Sequence, residues 1–294
     1  AWQELFDKYK AFPQYQKLFP NLTLEGFKGI FWLEYLHRVW GRVIGVAFLL
    51  PFLWFLIRGR LTRAMVPHLV ILFLLGAAQG ALGWYMVASG LVDRPSVSQY
   101  RLAAHLGLAF AIYVYLVWFG LGLVAPRRPL SDAGGVGRWS AATALLVAVT
   151  VVAGAFVAGL DAGLIYNGFP MMGEGLVPSD YVDPKLGFLG SLFESRAAVQ
   201  FNHRLLAIAT AVVVAATWIV SRRRGVPGGV RRGATLLILA ILLQVALGIW
   251  TLLAFVPVWL GTLHQAGALV VVTATVWLVH KCRSAGPRGN AFFD

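Results

Sequence analysis

Long apolar stretches alternate with short polar ones along most of the chain. A helix needs about 20 apolar residues to cross the hydrocarbon core of a bilayer. No Asp, Glu, Lys or Arg lies between Gly233 and His280, which is long enough for two spans, and Pro257 marks the expected turn because proline cannot continue a helix. The pattern predicts an all-α polytopic membrane protein with seven spans, at about residues 35–57, 66–91, 102–125, 138–160, 197–220, 232–255 and 259–280.

Composition supports this class and excludes others. Hydrophobic residues make up 59% of the 294 residues, and only 13% are charged, against roughly a quarter in soluble domains. A soluble globular protein, a disordered chain and a coiled coil are therefore excluded. The single cysteine, Cys282, excludes an intramolecular disulfide and a metal site built from several cysteines.

The net charge of +13 predicts the orientation of the spans. In a soluble protein this surplus would indicate nucleic acid, but here the cations cluster between apolar stretches, so we expect a bilayer and no nucleic-acid partner. The positive-inside rule places alternate ends in the cytoplasm and leaves residues 1–34 and the 161–196 loop outside. Fourteen of the 25 Lys and Arg residues lie at the cytoplasmic ends: Arg58, Arg60, Arg63, Arg127, Arg128, Arg138, Arg222, Arg223, Arg224, Arg231, Arg232, Lys281, Arg283 and Arg288.

The two halves of the chain can be aligned as an internal repeat. Equivalent spans are four apart, so the halves run in the same direction, as two pseudo-symmetric four-helix bundles related by an axis along the membrane normal. The first half supplies three spans before 138–160, so we expect one further N-terminal helix that this chain lacks. Three matches define the repeat: His37 with His203, Gln79 with Gln244, and His105 with His264, at offsets of 166, 165 and 159 residues.

This repeat divides the chain into segments. We expect an extramembrane N-terminal segment at 1–34, an N-terminal helical half at 35–160 and a long outer loop at 161–196. The C-terminal half covers 197–281 and takes 138–160 as its first helix, and a cytoplasmic tail covers 282–294.

Four of the six histidines share one predicted membrane depth, near the outer ends of their spans: His37, His105, His203 and His264. Ionisable groups at this depth are costly and usually functional, although single histidines hydrogen-bonded at the interface are the alternative. Zinc usually needs a third protein ligand, whereas heme iron takes one axial ligand from each side of the ring. The simplest interpretation is one heme site per half. His68 and His280, at the cytoplasmic ends, are interpreted as interfacial.

Arginines follow the histidines. Arg38 and Arg204 come directly after His37 and His203, and Arg42 lies one turn beyond Arg38. Their guanidinium groups are candidates for pairing with heme propionates, and snorkelling to the interface is the alternative.

The two predicted sites differ in one residue. Glu34 lies three residues before His37, whereas Gln200, which cannot ionise, lies three residues before His203. A carboxylate beside one heme site alone indicates chemistry there and a plain redox cofactor in the other half. An outer-surface carboxylate near a helix N-terminus is the alternative.

Six stretches along the chain together carry a family resemblance: FWLEYLHRVWGR (31–42), GAAQGALGWYMVASGL (76–91), RLAAHLGLAF (101–110), GLDAGLIYNGFPMMG (159–173), QFNHRLLA (200–207) and TLHQAGALVVV (262–272). With these stretches the chain resembles the heme A synthase family, of the proteobacterial and mitochondrial type. The resemblance covers essentially the whole chain, and the cysteine pair that some bacterial relatives carry in outer loops is absent.

The resemblance implies a function and roles for the candidate residues. The family oxidises the C8 methyl group of heme O to the formyl group of heme A, for cytochrome c oxidase assembly. His203 and His264 would ligate a permanent heme b, His37 and His105 would flank or ligate the substrate heme, and Glu34 would be the catalytic carboxylate. A bacterial inner membrane or a mitochondrial inner membrane is implied, with the heme sites toward the outer side. Heme O synthase and oxidase assembly factors are the implied partners, and a homo-oligomer is left open.

Two other functions are compatible with the same residues. One is a di-heme, quinol-linked cytochrome b, in which both hemes are permanent electron carriers. The other is a transporter built on the parallel repeat, with histidines coordinating its cargo. The difference between Glu34 and Gln200 favours the enzyme over the carrier, because a symmetric electron path does not need it.

Overall fold

The structure is a computed structural model that describes residues 1–90, 97–124 and 135–283. Within these ranges, seven helices are long and apolar enough to cross a membrane, so the all-α class and the number of spans are confirmed. The predicted cations Arg127, Arg128 and Arg288, and the tail from residue 284 onward, lie outside the described residues. The helices are α1 (Trp2–Lys10), α2 (Pro13–Leu18), α3 (Leu24–Ile57), α4 (Met65–Gly90), α5 (Gln99–Val124), α6 (Val136–Gly159), α7 (Gly187–Glu194), α8 (Arg196–Ser221), α9 (Gly228–Leu253) and α10 (Val258–Cys282).

The chain divides into two compact units, and Ala1–Ile112 forms the first. Its helix α3 begins at Leu24, well before the predicted start at residue 35. The Thr23 hydroxyl accepts a hydrogen bond from the Gly26 amide at 3.2 Å and caps the helix. Phe27, in the first turns, is buried with its ring centroid 5.3 Å from that of Phe6 in α1. This early start places Glu34 well inside a long helix.

The second unit begins at Tyr113 and contains a four-helix bundle. Helix α6 packs against α8 and α10, and α9 packs against the same two helices, so α8 and α10 lie at opposite corners. Threonine pairs join α6 to α8, with 3.0 Å between the hydroxyl oxygens of Thr143 and Thr217 and 2.9 Å between those of Thr150 and Thr210. Hydroxyl pairs of this kind stabilise helix contacts within a membrane.

The turn between α9 and α10 falls where the sequence predicts it. Helix α9 ends at Leu253, and α10 begins at Val258 with Pro257 as its N-cap residue. Phe255 and Val256 adopt left-handed backbone angles, with φ of 62° and 53°. Because β-branched and aromatic residues rarely take this conformation, the surrounding contacts must hold the turn. One such contact is with Gly163, where an added Cβ would lie 3.0 Å from a Val256 methyl group.

Candidate functional site

His203 and His264 lie on the two opposite helices of the second unit, α8 and α10. Their imidazoles are close enough to interact electrostatically. The structure therefore brings together the two histidines that the sequence pairs. Two imidazoles that project from facing helices into a bundle core can ligate a shared cofactor.

A glycine on a neighbouring helix faces each of these rings. A Cβ added to Gly154 in α6 would lie 3.1 Å from Cε1 of His203, and one added to Gly248 in α9 would lie 2.9 Å from Cε1 of His264. A side chain at Gly248 would force something to shift, and one at Gly154 would crowd the imidazole of His203. The two glycines occupy the other diagonal of the bundle, so all four helices contribute to the histidine site.

A glutamine one turn from the second glycine fixes His264. Gln244 Nε2 donates to the backbone carbonyl of His264 at 2.9 Å and lies 3.2 Å from its Nδ1 atom. The sequence repeat marks Gln244, but sequence reasoning missed this positioning role. A side-chain amide that bonds to a ring nitrogen orients the imidazole for a ligand, as partners of metal-binding histidines commonly do.

The first unit repeats this local arrangement. Gln79 Nε2 donates to the backbone carbonyl of His105 at 3.0 Å and lies 3.4 Å from its Nε2 atom. A Cβ added to Gly83 would lie 2.9 Å from Cε1 of His105. These contacts between α4 and α5 correspond to those between α9 and α10, except that the amide lies beside Nε2 of His105 and beside Nδ1 of His264. The correspondence is consistent with the predicted repeat.

The donor groups fit a heme in the second unit. Nδ1 of His203 is buried and has no hydrogen-bond partner within the described residues, which is unusual for a buried polar atom unless a further group completes the site. The described residues contain no cluster of three His, Cys, Asp or Glu side chains. Two imidazoles with glycines beside them suit a flat ring that takes one axial ligand from each side.

The segment from 160 to 195 is attached to the same end of the bundle. Arg204 donates to the carbonyls of Tyr166 at 2.7 Å and Gly168 at 3.0 Å. Gln200, which is buried, donates to the same Tyr166 carbonyl at 2.9 Å. The Arg204 guanidinium therefore binds backbone carbonyls of this segment. Its predicted contact with a heme propionate stays a prediction.

Two tyrosines add further contacts at this end. The Tyr166 hydroxyl donates to Asp180 at 2.5 Å, and this hydrogen bond is the main reason that the pKa of Tyr166 lies above its usual value. The Tyr181 hydroxyl donates to Oδ1 of Asn202 at 3.0 Å, directly beside His203. These bonds join the connecting segment to itself and to α8.

The remaining predicted site residues lie in the first unit. Glu34 forms an ion pair with Arg38 one turn along α3, and both side chains are about half exposed. His37 and Arg42 are exposed on the same helix. His37 is close enough to His105 to interact electrostatically. The structure thus brings Glu34 and Arg38 together and places His37 near His105.

Sequence reasoning missed Tyr9 in α1. Its hydroxyl is buried and has no hydrogen-bond partner within the described residues, and its ring centroid lies 5.0 Å from that of Phe27. Burial raises the pKa of Tyr9, and the charge on Glu34 raises it further. The only signal in the sequence is the aromatic character of this segment, which does not single out one residue.

His280, which the sequence analysis interprets as interfacial, packs against an aromatic side chain. It is only 4% exposed, and its ring packs edge-on against Trp118 with 5.2 Å between centroids. This packing lies in the second unit, at the end of α10 opposite to His264.

The long apolar helices and the paired histidines within them define a polytopic integral membrane protein. The chain belongs to the COX15-CtaA family, described as cytochrome oxidase assembly protein, whose family model matches residues 1–276. It is 50% identical to a heme A synthase of Paramagnetospirillum magneticum, over 95% of this chain and 79% of the relative.

Other relatives carry similar names. A heme A synthase of Nitrosospira multiformis is 47% identical, over 96% of this chain and 80% of the relative. The heme A synthase COX15 of Bos taurus is 42% identical, over 96% of this chain and 70% of the relative. No solved structure matches the chain significantly.

Proposed function

We propose that this protein is a heme A synthase, which oxidises the C8 methyl group of heme O to a formyl group for cytochrome c oxidase assembly. The observation that carries this proposal is the difference between the two histidine sites. Glu34 lies on an exposed part of α3 beside His37, whereas its repeat equivalent Gln200 is buried and bonded to the Tyr166 carbonyl. Three residues before the first histidine of each site, the first site has a carboxylate and the second an amide, and relatives at up to 50% identity are named heme A synthase.

The second unit is the site for a resident heme b. His203 and His264 would hold the iron, and the heme would supply redox capacity. Gly154 and Gly248 leave the imidazoles room against α6 and α9. Gln244 keeps His264 oriented through its ring nitrogen and its backbone carbonyl.

The first unit is the site for heme O. His37 and His105 flank or ligate the substrate heme, and Gln79 orients His105 as Gln244 orients His264. Loss of hydrogen from the methyl carbon requires a group that accepts a proton or positions water, and Glu34 is the carboxylate available for either task. Its ion pair with Arg38 restricts the carboxylate to one side of α3.

The arginines provide candidate contacts for propionates. Arg38 and Arg42 lie beside the substrate histidine, and Arg204 lies beside His203. A guanidinium group can hold a carboxylate through two parallel hydrogen bonds. Arg204 already donates hydrogen bonds to two backbone carbonyls. A propionate would therefore bind to a guanidinium group whose position is fixed.

A second candidate is a di-heme electron carrier linked to quinol. The matching contacts around His105 and His264 favour it, because a carrier with two permanent hemes needs two similar sites. The carrier requires no conversion of heme O. The synthase and the electron carrier can therefore be distinguished by whether the protein produces heme A.

The remaining aspects of the proposal concern location and partners. The heme sites face the periplasm or the intermembrane space, as the distribution of cations predicts. Heme O synthase would supply the substrate, and oxidase assembly factors would receive the product.

The test is extraction of total heme from cells that express the protein together with a heme O synthase, in a host without its own heme A. Chromatography should show heme A, and the purified protein should retain heme b. Heme O alone, at full expression of a protein that retains heme b, would support the electron carrier instead.

A further inference from the structure

A largely apolar groove lies in the second unit between α6, α7 and α8. Its volume is about 400 Å³, and of its lining residues only Asn202 has a polar side chain. Val149 and Val152 in α6 are 42% and 40% exposed. Exposed valines on a helix that spans a bilayer give this side of the second unit an apolar surface, which suits molecules dissolved in the membrane.

The groove lies directly outside the contact that holds His203. Ala153 and Asn202 line the groove, and the next residue on each helix, Gly154 and His203, forms the contact described above. Adjacent residues on a helix point in directions about 100° apart. The groove and the imidazole of His203 therefore lie on neighbouring sides of the packing contact between α6 and α8.

Asn202 is the one lining residue that could hydrogen-bond to a molecule in the groove. Its Oδ1 atom accepts from the Tyr181 hydroxyl at 3.0 Å. With the oxygen engaged, the amide nitrogen is left as the donor of this side chain. At the end of the groove toward α7, the rings of Phe156 and Phe193 lie 6.0 Å apart and form an aromatic wall. Apolar and aromatic walls with one placed donor suit a flat ligand that carries a carbonyl oxygen.

The proposed reaction requires an electron acceptor. Conversion of a methyl group to a formyl group with water as the oxygen donor breaks two C–H bonds of the methyl group and both O–H bonds of water, and it forms one C=O bond. It releases four electrons and four protons. Two quinone molecules balance the step, because each takes up two electrons and two protons and becomes a quinol. Quinones are apolar, carry carbonyl acceptors and diffuse within the bilayer.

We propose that this groove is a quinone site, in which the Asn202 amide donates to a quinone carbonyl and the quinone removes electrons from the His203 site. The inference rests on the proposed function, since that reaction supplies the electrons. It assigns the electron acceptor to a class and to a location, and the sequence does not indicate the location.

The first test uses the purified protein with its bound heme b, reduced under anaerobic conditions and mixed with decylubiquinone. Val152→Trp should fill the groove, and Asn202→Leu should remove its donor. Asn202→Leu should slow heme reoxidation by about tenfold, the factor expected for loss of one hydrogen bond, and Val152→Trp should slow it at least as much because it excludes the quinone. Leu145→Trp is the matched control, because Leu145 is 66% exposed and lies seven residues away on the same face of α6, outside the groove. It should reoxidise at the wild-type rate.

A second test does not depend on heme. A photoreactive azidoquinone should label peptides that contain residues 149–156 or 199–206, and Val152→Trp should abolish this labelling while Leu145→Trp preserves it. If Val152→Trp and Leu145→Trp are labelled equally and their hemes are reoxidised at the same rate, the proposal is overturned. The groove would then accommodate lipid acyl chains only.

The two proposals fail in different ways. Labelling and quinone-dependent reoxidation in a protein that forms no heme A would refute the synthase and keep the quinone site. Formation of heme A without labelling of the groove would refute the quinone site and keep the synthase.

Discussion

Gln200 and Arg204, one turn apart on α8, donate hydrogen bonds to the same backbone carbonyl, that of Tyr166, at 2.9 and 2.7 Å. Their repeat equivalents Glu34 and Arg38 instead pair with each other. The same two helical positions therefore fasten a connecting segment in one half and present a carboxylate in the other. Under the proposed function, this difference assigns a structural role to the first pair and a chemical role to Glu34.

The first prediction concerns attachment of the segment between α6 and α8. Arg204→Ala should expose it to protease, because the carbonyls of Tyr166 and Gly168 lose charged donors. Loss of such a bond costs about 1.5–3 kcal/mol. Limited proteolysis with mass mapping of the cuts measures the effect. Arg223→Ala, just beyond the C-terminal end of α8, is the control, and equal cleavage of the two variants would contradict the account.

The second prediction concerns the glycine beside His264. Gly248→Ala should sharply lower heme b retention, because its Cβ would lie 2.9 Å from Cε1 of the imidazole. Gly261→Ala is the matched control, since within the described residues nothing lies within 4 Å of a Cβ at that position. Heme content per protein is measured by the pyridine hemochrome spectrum. Full heme content in Gly248→Ala would show that the imidazole of His264 does not require the space beside Gly248.

The third prediction separates the paired histidines from the others. His203→Ala and His264→Ala should each remove heme b, because a heme held by two axial ligands is lost readily when one is missing. His68→Ala should retain it. Absorption of the purified proteins, normalised to protein amount, distinguishes them. Retention of a normal spectrum by either of the first two variants would exclude that histidine as a ligand.

The fourth prediction concerns Tyr9. Its buried hydroxyl has no protein partner among the described residues, so Tyr9→Phe should leave thermal stability unchanged or raise it. If the hydroxyl bonds to substrate or to water near Glu34, heme A formation should fall by about tenfold. Tyr15→Phe, in the same aromatic cluster, is the control. Unchanged conversion in Tyr9→Phe would limit this residue to packing.

Much of the fold could be predicted from hydropathy alone. Each span is a long apolar stretch, and Pro257 marks the α9–α10 turn because proline interrupts a helix. The start of α3 was predicted too late, because its first turns carry Glu25 and Lys28 and their helical state depends on a Thr23 cap and on packing of Phe27. Such local interactions leave no apolar stretch to detect.

The candidate site could be predicted in part. Repeat spacing identified the histidine pairs, since equivalent residues recur at nearly constant offsets. The contacts of Arg204 could not be predicted, because its acceptors are backbone carbonyls 36 and 38 residues away and have no side-chain signature. The roles of Gln244 and Tyr9 likewise depend on neighbours that only the fold supplies.

The central claim is that Glu34 performs chemistry that the second site does not. The most direct measurement compares the hemes extracted from cells that supply heme O and express either Glu34→Gln or Glu25→Gln. Glu25 lies on the same helix in an exposed ion pair with Lys28, so it is a matched control. Glu34→Gln should retain heme b and accumulate heme O without heme A, whereas Glu25→Gln should form heme A normally. Normal heme A formation by Glu34→Gln would contradict the account.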